Sequence, residues 1–562
     1  MIKTRRSISL IALLAVLALV LAACGGSDSK GGGGGSTTTK PGPDTTGALT
    51  VGAEQDPACA DWIDKCAGSS WGSYMMEYQT MPRVFDYAKE GDDWTEVPSP
   101  TMAAMPTVAT VNGKQTVTYP ISEAAVWSDG EPITSTDFKY TWNQIVTGKD
   151  IYDPTGYNDI ESIDTTNPKV AVATFKTDFA SWTQLFGADF GIFPSHLLEG
   201  KDRDKEMKNG YDWSGGPWLM KWDRGVSVTL TPNPKWYGTK PTIQKVIFKI
   251  LANTASEFEA FKSQEVSAIY PQPEPSAIAS IKGGIEGTSS LYSSDTANVE
   301  ALWINNAKFP FDSVAVRQAV AYAIDRDAIV TRLFGDLGVT KAVQSLNPPI
   351  LSKYADKTAY SNYVLNLDKV NSLMTGDGWA KNSDGMWAKG GKTAAFTIKS
   401  TTDNKRRELT EQILQEQLKA AGFKLTIHNL IADDLFGTVL PAGDFQMSLY
   451  AQAATSLNPG LCTIACSKNI PTKANKQVGD NLNRINIPTL DPLLENVDRN
   501  FVESERISAS KQADQVMAQE QVSLPLDPLP NIVLWSNKIT GPVGDNPVLS
   551  MFWNMYLWRV QG

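Results

Sequence analysis

Gly68-Ser69-Ser70-Trp71-Gly72 has the G-x-S-x-G spacing that lifts a nucleophilic serine onto a sharp turn between a strand and a helix. A serine nucleophile needs a general base, and the chain holds only two histidines, His196 and His428, neither set in a motif. The stretch before Ser70 is a cysteine-bounded loop where the motif needs a strand, so a surface-anchored serine hydrolase using Ser70 stands only as the alternative from another class. Two histidines also argue against a histidine-rich metal site. Setting Cys24 aside, four cysteines remain: Cys59 with Cys66, and Cys462 with Cys466, are close in sequence. Two local disulfides in an oxidising compartment are the simplest of the three connectivities open to them, and neither pair has the C-x2-C spacing of a zinc site. Asp377 to Trp387 is rich in Asp and Asn but lacks the distal Glu of a calcium loop, and reads as a hairpin turn. No G-x-x-x-x-G-K-[ST] occurs, so no P-loop for a nucleotide is present. No cofactor, metal or catalytic centre is expected.

Behind these residues lies a chain of 562, too long for one hydrophobic core. Hydrophobic residues at 42% and charged residues at 20% are ordinary for a globular body. The net charge of −10, without a basic patch, excludes nucleic acid as an expected partner. Lys3, Arg5 and Arg6 followed by the apolar run Ile8 to Val20 form a targeting segment, too short to span a bilayer stably. Gly25 to Gly47, with its Gly31–Gly35 run, cannot bury enough apolar surface to order itself and reads as a tether.

Beyond the tether, Leu49 to Gly52 reads as the first strand, and Tyr74 to Phe85 as a surface helix. Lys114 to Ile121 alternates as a strand. Ser135 or Thr136 can cap the helix that follows, with Asp137 in its first turn. Val299 to Asn306 is strand-like, and Ala315 to Phe334 reads as one amphipathic helix with Val316, Ala319, Val320, Ala323 and Ile324 on its apolar stripe. Phe396–Ile398, a helix over Arg406–Ala421 stopped by Gly422, and Phe423–Ile427 make a βαβ unit, so this half should be α/β.

Particular residue strings carry more than periodicity. Leu21-Ala22-Ala23-Cys24 resembles a bacterial lipobox, which implies cleavage of 1–23 and lipidation of Cys24, an anchor made stable by two or more acyl chains. Trp127-Ser128-Asp129-Gly130-Glu131-Pro132, the run Gly215-Gly216-Pro217-Trp218 through Asn233-Pro234-Lys235-Trp236-Tyr237 to Lys245–Ile250, and Trp303-Ile304-Asn305 with Val316-Arg317-Gln318-Ala319 resemble the oligopeptide/dipeptide-binding family of extracytoplasmic solute-binding proteins, family 5, of ABC importers.

The resemblance spans about Leu49 to Val560 and implies an α/β, two-lobed periplasmic-binding-protein-like fold of the large peptide-binding type II subclass. It implies a tether over 24–47, a discontinuous first lobe of 48–297 plus 528–562, and a second lobe of 298–527. Tyr556–Val560 should close the chain as a strand returning to the first lobe. The implied activity is capture of extracellular oligopeptides or dipeptides by a monomer anchored outside the cytoplasmic membrane. Delivery to a membrane permease follows. The resemblance places Glu54, Trp303, Asn305, Tyr450, Gln452, Thr455, Asn458 and Trp535 at the ligand. Where the family carries an Asp that clamps a peptide's ammonium, this chain has Thr455, and Asn458 replaces a second Asp. A non-peptide solute, such as a glycoside or another polar metabolite, is therefore the second reading; nickel is disfavoured by the two histidines.

Overall fold

The computed structural model describes residues 47–561 apart from 68, 92, 188, 189, 252, 542, 543 and 545. Cys24, the leader before it and the tether up to 46 lie outside the described residues. Among the described residues no helix is long and apolar enough to cross a membrane.

Two sheets organise the body. The first has seven strands in the order Thr288–Ser293, Asn531–Ser536, Ala268–Ile269, Ala48–Ala53, Lys245–Ile250, Ser227–Pro232 and Trp218–Asp223. Its centre, Ala48–Ala53, pairs in parallel with Lys245–Ile250, and the long hairpin Trp218–Pro232 extends it antiparallel. A four-stranded antiparallel sheet (107–175) shares one core with it, in which Leu49, Val51 and Phe248 belong to the same cluster as Val117, Tyr119 and Phe138. The second large sheet has five strands: Lys424–Ile427, Ala395–Lys399, Met447–Ala453, Asn298–Ile304 and Ser523–Asp527. The chain passes from the first sheet to the second between Ser293 and Asn298, and returns between Asp527 and Asn531. The two connections touch, since Thr296 Oγ1 donates to the Pro528 carbonyl at 2.6 Å.

Alternation along the crossing strand Asn298–Ile304 packs both of its faces. Leu302 and Ile304 enter the core under the helix Lys405–Ala421, while Ala301 and Trp303 enter a separate core with Leu461, Leu490 and Met517. Gly422 ends that helix with φ of +94°, and a Cβ there would meet the Gly385 carbonyl oxygen at 3.0 Å, so both backbone and space demand glycine.

Several sequence expectations need correction. Ala315–Phe334 is two helices, Val314–Tyr322 and Arg326–Phe334, because the Asp325 carboxylate accepts from the Ala328 N–H and caps a new start. The cap of Ser135–Thr147 is Thr134, one residue earlier than read, in a capping box with Asp137. The stretch 70–80 is helical with a π turn and is buried over 75–80, not a surface helix; Phe85–Glu90 is already a strand. Of Tyr556–Val560 only Arg559–Val560 is a strand, paired with Ile539–Thr540 after the 3-10 turn Met555–Leu557, while Trp558 and Val560 pack on the core of the first sheet.

Candidate functional site

Buried charge appears first where the chain crosses between the sheets. Glu300, on the crossing strand, is 1% exposed and faces the first turn of the helix Lys405–Ala421. Arg407 Nε donates to Glu300 Oε1 at 2.7 Å, and Arg406 Nη2 to Oε2 at 3.3 Å. Burial alone would raise this carboxyl; the two guanidinium groups outweigh it and hold Glu300 at about 2. Its register partner on the return strand, Asp527, is pushed up to about 7 by burial and by Glu300 itself. This cluster fills a protein interior and ties the crossing strand to the helix.

The second concentration of polar groups surrounds a cavity of about 90 Å³. Tyr152, Asp153, Thr155, Tyr157, Gln184 and Phe190 line it from the side of the seven- and four-stranded sheets. Leu346, Asn347, the loop 452–458 and the short helix Leu461–Ala465 line it from the side of the five-stranded sheet. The loop leaves the strand Met447–Ala453, the central partner of the crossing strand, so its origin is fixed by a full ladder. Cys462, inside that helix, and Cys466, just past its end, have sulfurs 2.04 Å apart; Cys59 and Cys66 lie at 1.96 Å.

Hydrogen bonds join the two walls. Asn458 Nδ2 donates to Thr183 Oγ1 at 2.6 Å, and Arg506 Nη2 donates to Ser181 Oγ at 2.7 Å and to Asn458 Oδ1 at 3.2 Å. Thr463 Oγ1 donates to Asp153 Oδ2 at 3.2 Å. The amide of Ala180 donates to the Asp498 carbonyl at 2.6 Å. The walls therefore stand closed on each other.

Among the described lining residues Asp153 is the single charged side chain. Burial pushes its carboxyl up, against hydrogen bonds from Thr155 and Thr463. Asp498 nearby is raised to about 7, by burial first and then by Asp153 and Asp159, with Lys468 and Arg506 opposing. Asn347 is 4% exposed; its Nδ2 donates to Ser510 Oγ, and its Oδ1 is buried without a hydrogen-bond partner among the described residues.

Of the residues expected at a ligand, Gln452, Thr455 and Asn458 line this cavity. The structure brings none of the other five to it. Trp303 stacks on Tyr450 at 5.2 Å, and its Nε1 donates to the Tyr450 carbonyl, so both rings belong to the core beneath the strand. Asn305 Nδ2 donates to the Gly443 carbonyl and its Oδ1 accepts from Ala307 N. Glu54 accepts from Thr254 Oγ1 at 2.6 Å and lies against Glu257; burial pushes Glu54 up, and burial beside Glu54 pushes Glu257 well up. Trp535 is half-buried on the seven-stranded sheet, opposite Ala268 and Ser289. Asp153 and Asn347 escaped sequence reasoning. Asp153-Pro154-Thr155-Gly156 signals a turn, and no local pattern says what it faces.

Ser70 is exposed at the start of a three-residue helix that follows a 3-10 turn, Lys65–Ala67. The strand that a nucleophile elbow requires is replaced by that turn, and His196 Nε2 lies 2.8 Å from Asp129 Oδ2.

The family described as bacterial extracellular solute-binding proteins, family 5 middle region, matches residues 98–465. The oligopeptide-binding protein AppA of Bacillus subtilis is 22% identical over 432 residues, covering 75% of this chain and 76% of the relative. The structure of that Bacillus subtilis protein with a nonapeptide superposes with a TM-score of 0.79 at 17% identity, over 92% of this chain and 99% of the other. A periplasmic EDTA-binding protein, EppA, gives 0.78 at 22% identity, over 94% and 98%. The fold is thus the two-lobed type II periplasmic-binding-protein fold, here closed around a cavity, and the chain belongs to the family 5 extracellular solute-binding proteins, which are the substrate-binding components of ABC importers and not enzymes.

Proposed function

We propose that this protein captures short peptides in the cavity between lobes 48–297 plus 528–562 and 298–527, and presents them to a membrane permease. The observation that carries this reading is the closed cavity itself. Two walls from different sheets meet through Asn458, Thr463 and Arg506, and the space between them is lined by amide and hydroxyl groups at Gln184, Asn347, Gln452 and Thr455 and by the rings of Tyr152, Tyr157 and Phe190. Such a lining suits a ligand with its own amides and mixed side chains. Ligand bound between the walls would stabilise the closed arrangement, and release at the permease would accompany opening. The kinship to a protein named for oligopeptide binding supports the same class of ligand.

The lipobox resemblance supports a lipid anchor at Cys24, and the sulfur distances support disulfides 59–66 and 462–466 in an extracytoplasmic setting. We read the protein as a monomer.

A non-peptide polar solute is the second reading. Thr455 in place of a carboxylate favours it, as does the small volume, below the several hundred Å³ usual for drug-sized ligands. Mass spectrometry of small molecules released by denaturing the purified protein tests both. Short peptides are expected. One non-peptide compound overturns the peptide assignment and leaves the importer role standing.

A further inference from the structure

We infer that Asp153, from the wall opposite the binding loop, receives a protonated amine of the ligand and takes over the clamp that Thr455 cannot provide. The inference rests on the reading that the interlobe cavity is the ligand site. It names the chemistry of one end of the ligand and the residue that selects it.

The cavity has one charged lining group among the described residues, and it is an anion. Asp153 Oδ1 accepts from the Thr155 N–H at 2.8 Å, and Oδ2 from Thr463 Oγ1 at 3.2 Å. A carboxylate has about four acceptor positions, so room remains for a donor from the cavity. The cations near this wall are committed elsewhere. Lys468 and Arg499 both pair with Glu495, at 3.0 and 3.6 Å. Arg506 donates to the Val497 carbonyl, Ser181 and Asn458. Among the described residues no ion pair includes Asp153. Asn347 Oδ1, buried and unpartnered, supplies a second acceptor on the facing wall. Two acceptors and no cation make a site for a group that only donates, and an ammonium has three donors to offer.

The position has a mechanical consequence. A clamp at 455 would hold the amine on the same wall as the rest of the binding loop. Asp153 holds it on the other wall, and its hydrogen bond from Thr463 forms only when the walls meet. Recognition of the charge and closure are then one event.

The test is isothermal titration of the full chain in detergent with three probes: a pool of free-amine tripeptides, the same pool N-acetylated, and spermidine. The free-amine pool is expected to bind the wild type at least tenfold more tightly than the acetylated pool. Asp153→Asn should lose that preference while binding the acetylated pool as the wild type does, which also reports an intact fold. Asp153→Ser is read by the same ratio should Asp153→Asn not fold. In the Asp153→Asn background, Thr455→Asp should restore part of the preference. The inference is overturned if Asp153→Asn keeps the wild-type preference, if acetylation costs the wild type nothing, or if no amine binds at all. Should spermidine alone bind, and lose affinity tenfold in Asp153→Asn, the Asp153 assignment stands and the peptide reading falls.

Discussion

Two carboxylates buried between the lobes, Glu300 and Asp498, are treated in opposite ways. At the crossing strands, Glu300 lies between Arg406 and Arg407 and is held at about 2, ionised at every working pH. At the cavity, burial pushes Asp153 up, and close by it pushes up Asp159 and Asp498, the last to about 7. Glu300 and Asp498 are both buried; the compensation differs. The Glu300 charge is answered from within the chain by hydrogen bonds from Arg406 and Arg407, and a buried ion paired in this way is part of the scaffold. An under-compensated one is a standing cost to the free protein that an incoming group can relieve, and such groups concentrate where ligands bind.

The contrast can be broken most directly at Glu300. Glu300→Gln preserves shape and leaves two buried guanidinium groups facing a neutral amide, so urea denaturation should show a loss of about 3–5 kcal/mol. A loss below about 1 kcal/mol would mean that the crossing cluster is no better compensated than the cavity.

The pH response should differ in sign between Glu300 and Asp498, while Asp527, beside Glu300 and raised to about 7, follows Asp498. Glu300 ionises in the folded chain near 2 against an ordinary 4.5; its contribution is present above about 4.5 and lost as pH falls toward 2. Asp498 goes the other way. Its folded value of about 7 exceeds the ordinary 3.8, so the folded state holds the proton longer and stability declines as pH rises from about 4 to about 7. Melting curves at pH 5 and pH 8 should therefore separate more for the wild type than for Asp498→Asn, by about 1 kcal/mol or more. Equal separations would remove Asp498 from the comparison.

The smallest effect is expected at the seam. Asn458→Ala removes the bond to Thr183, which crosses between the walls, and one to Arg506 within its own wall. Stability should fall by about 1 kcal/mol or less, while the radius of gyration of the ligand-free protein in X-ray scattering rises as the open form gains population. An unchanged radius would place the closing energy elsewhere.

Sequence reading captured the framework well. The hairpin at 218–232, the parallel partner at 245–250 and the βαβ unit at 395–427 all form where strand alternation, turn residues and Gly422 place them. These features are local: a period, a cap or a stop can be read within a dozen residues. The cavity was legible only along 452–458, because that loop follows directly from a recognisable strand. Trp303 and Tyr450 show the limit. Both lie on strands that reach the cavity region, yet side chains alternate, and a strand packed on both faces gives no sequence sign of which face a ring joins. Asp153 was invisible for another reason. It faces Thr463, some 310 positions away, and only the closing of two lobes brings them together. Arg317 and Arg326 taught a related lesson. Off the apolar stripe, they are nevertheless buried, donating to carbonyls of Phe311, Glu520, Val343 and Tyr360.

The order of the seven-stranded sheet constrains how the molecule can be made. The strand Thr288–Ser293 has a single neighbour, Asn531–Ser536, which also closes the gap to Ala268–Ile269. That neighbour is synthesised about 240 residues later, after the whole five-stranded sheet. A chain emerging amino end first thus carries an unfinished sheet, with an exposed edge on either side of the missing strand, until nearly its last segment arrives. Truncation of the final thirty or so residues would remove a middle strand rather than trim an end. The order of synthesis thus makes every strand of the five-stranded sheet available before the seven-stranded one can be sealed.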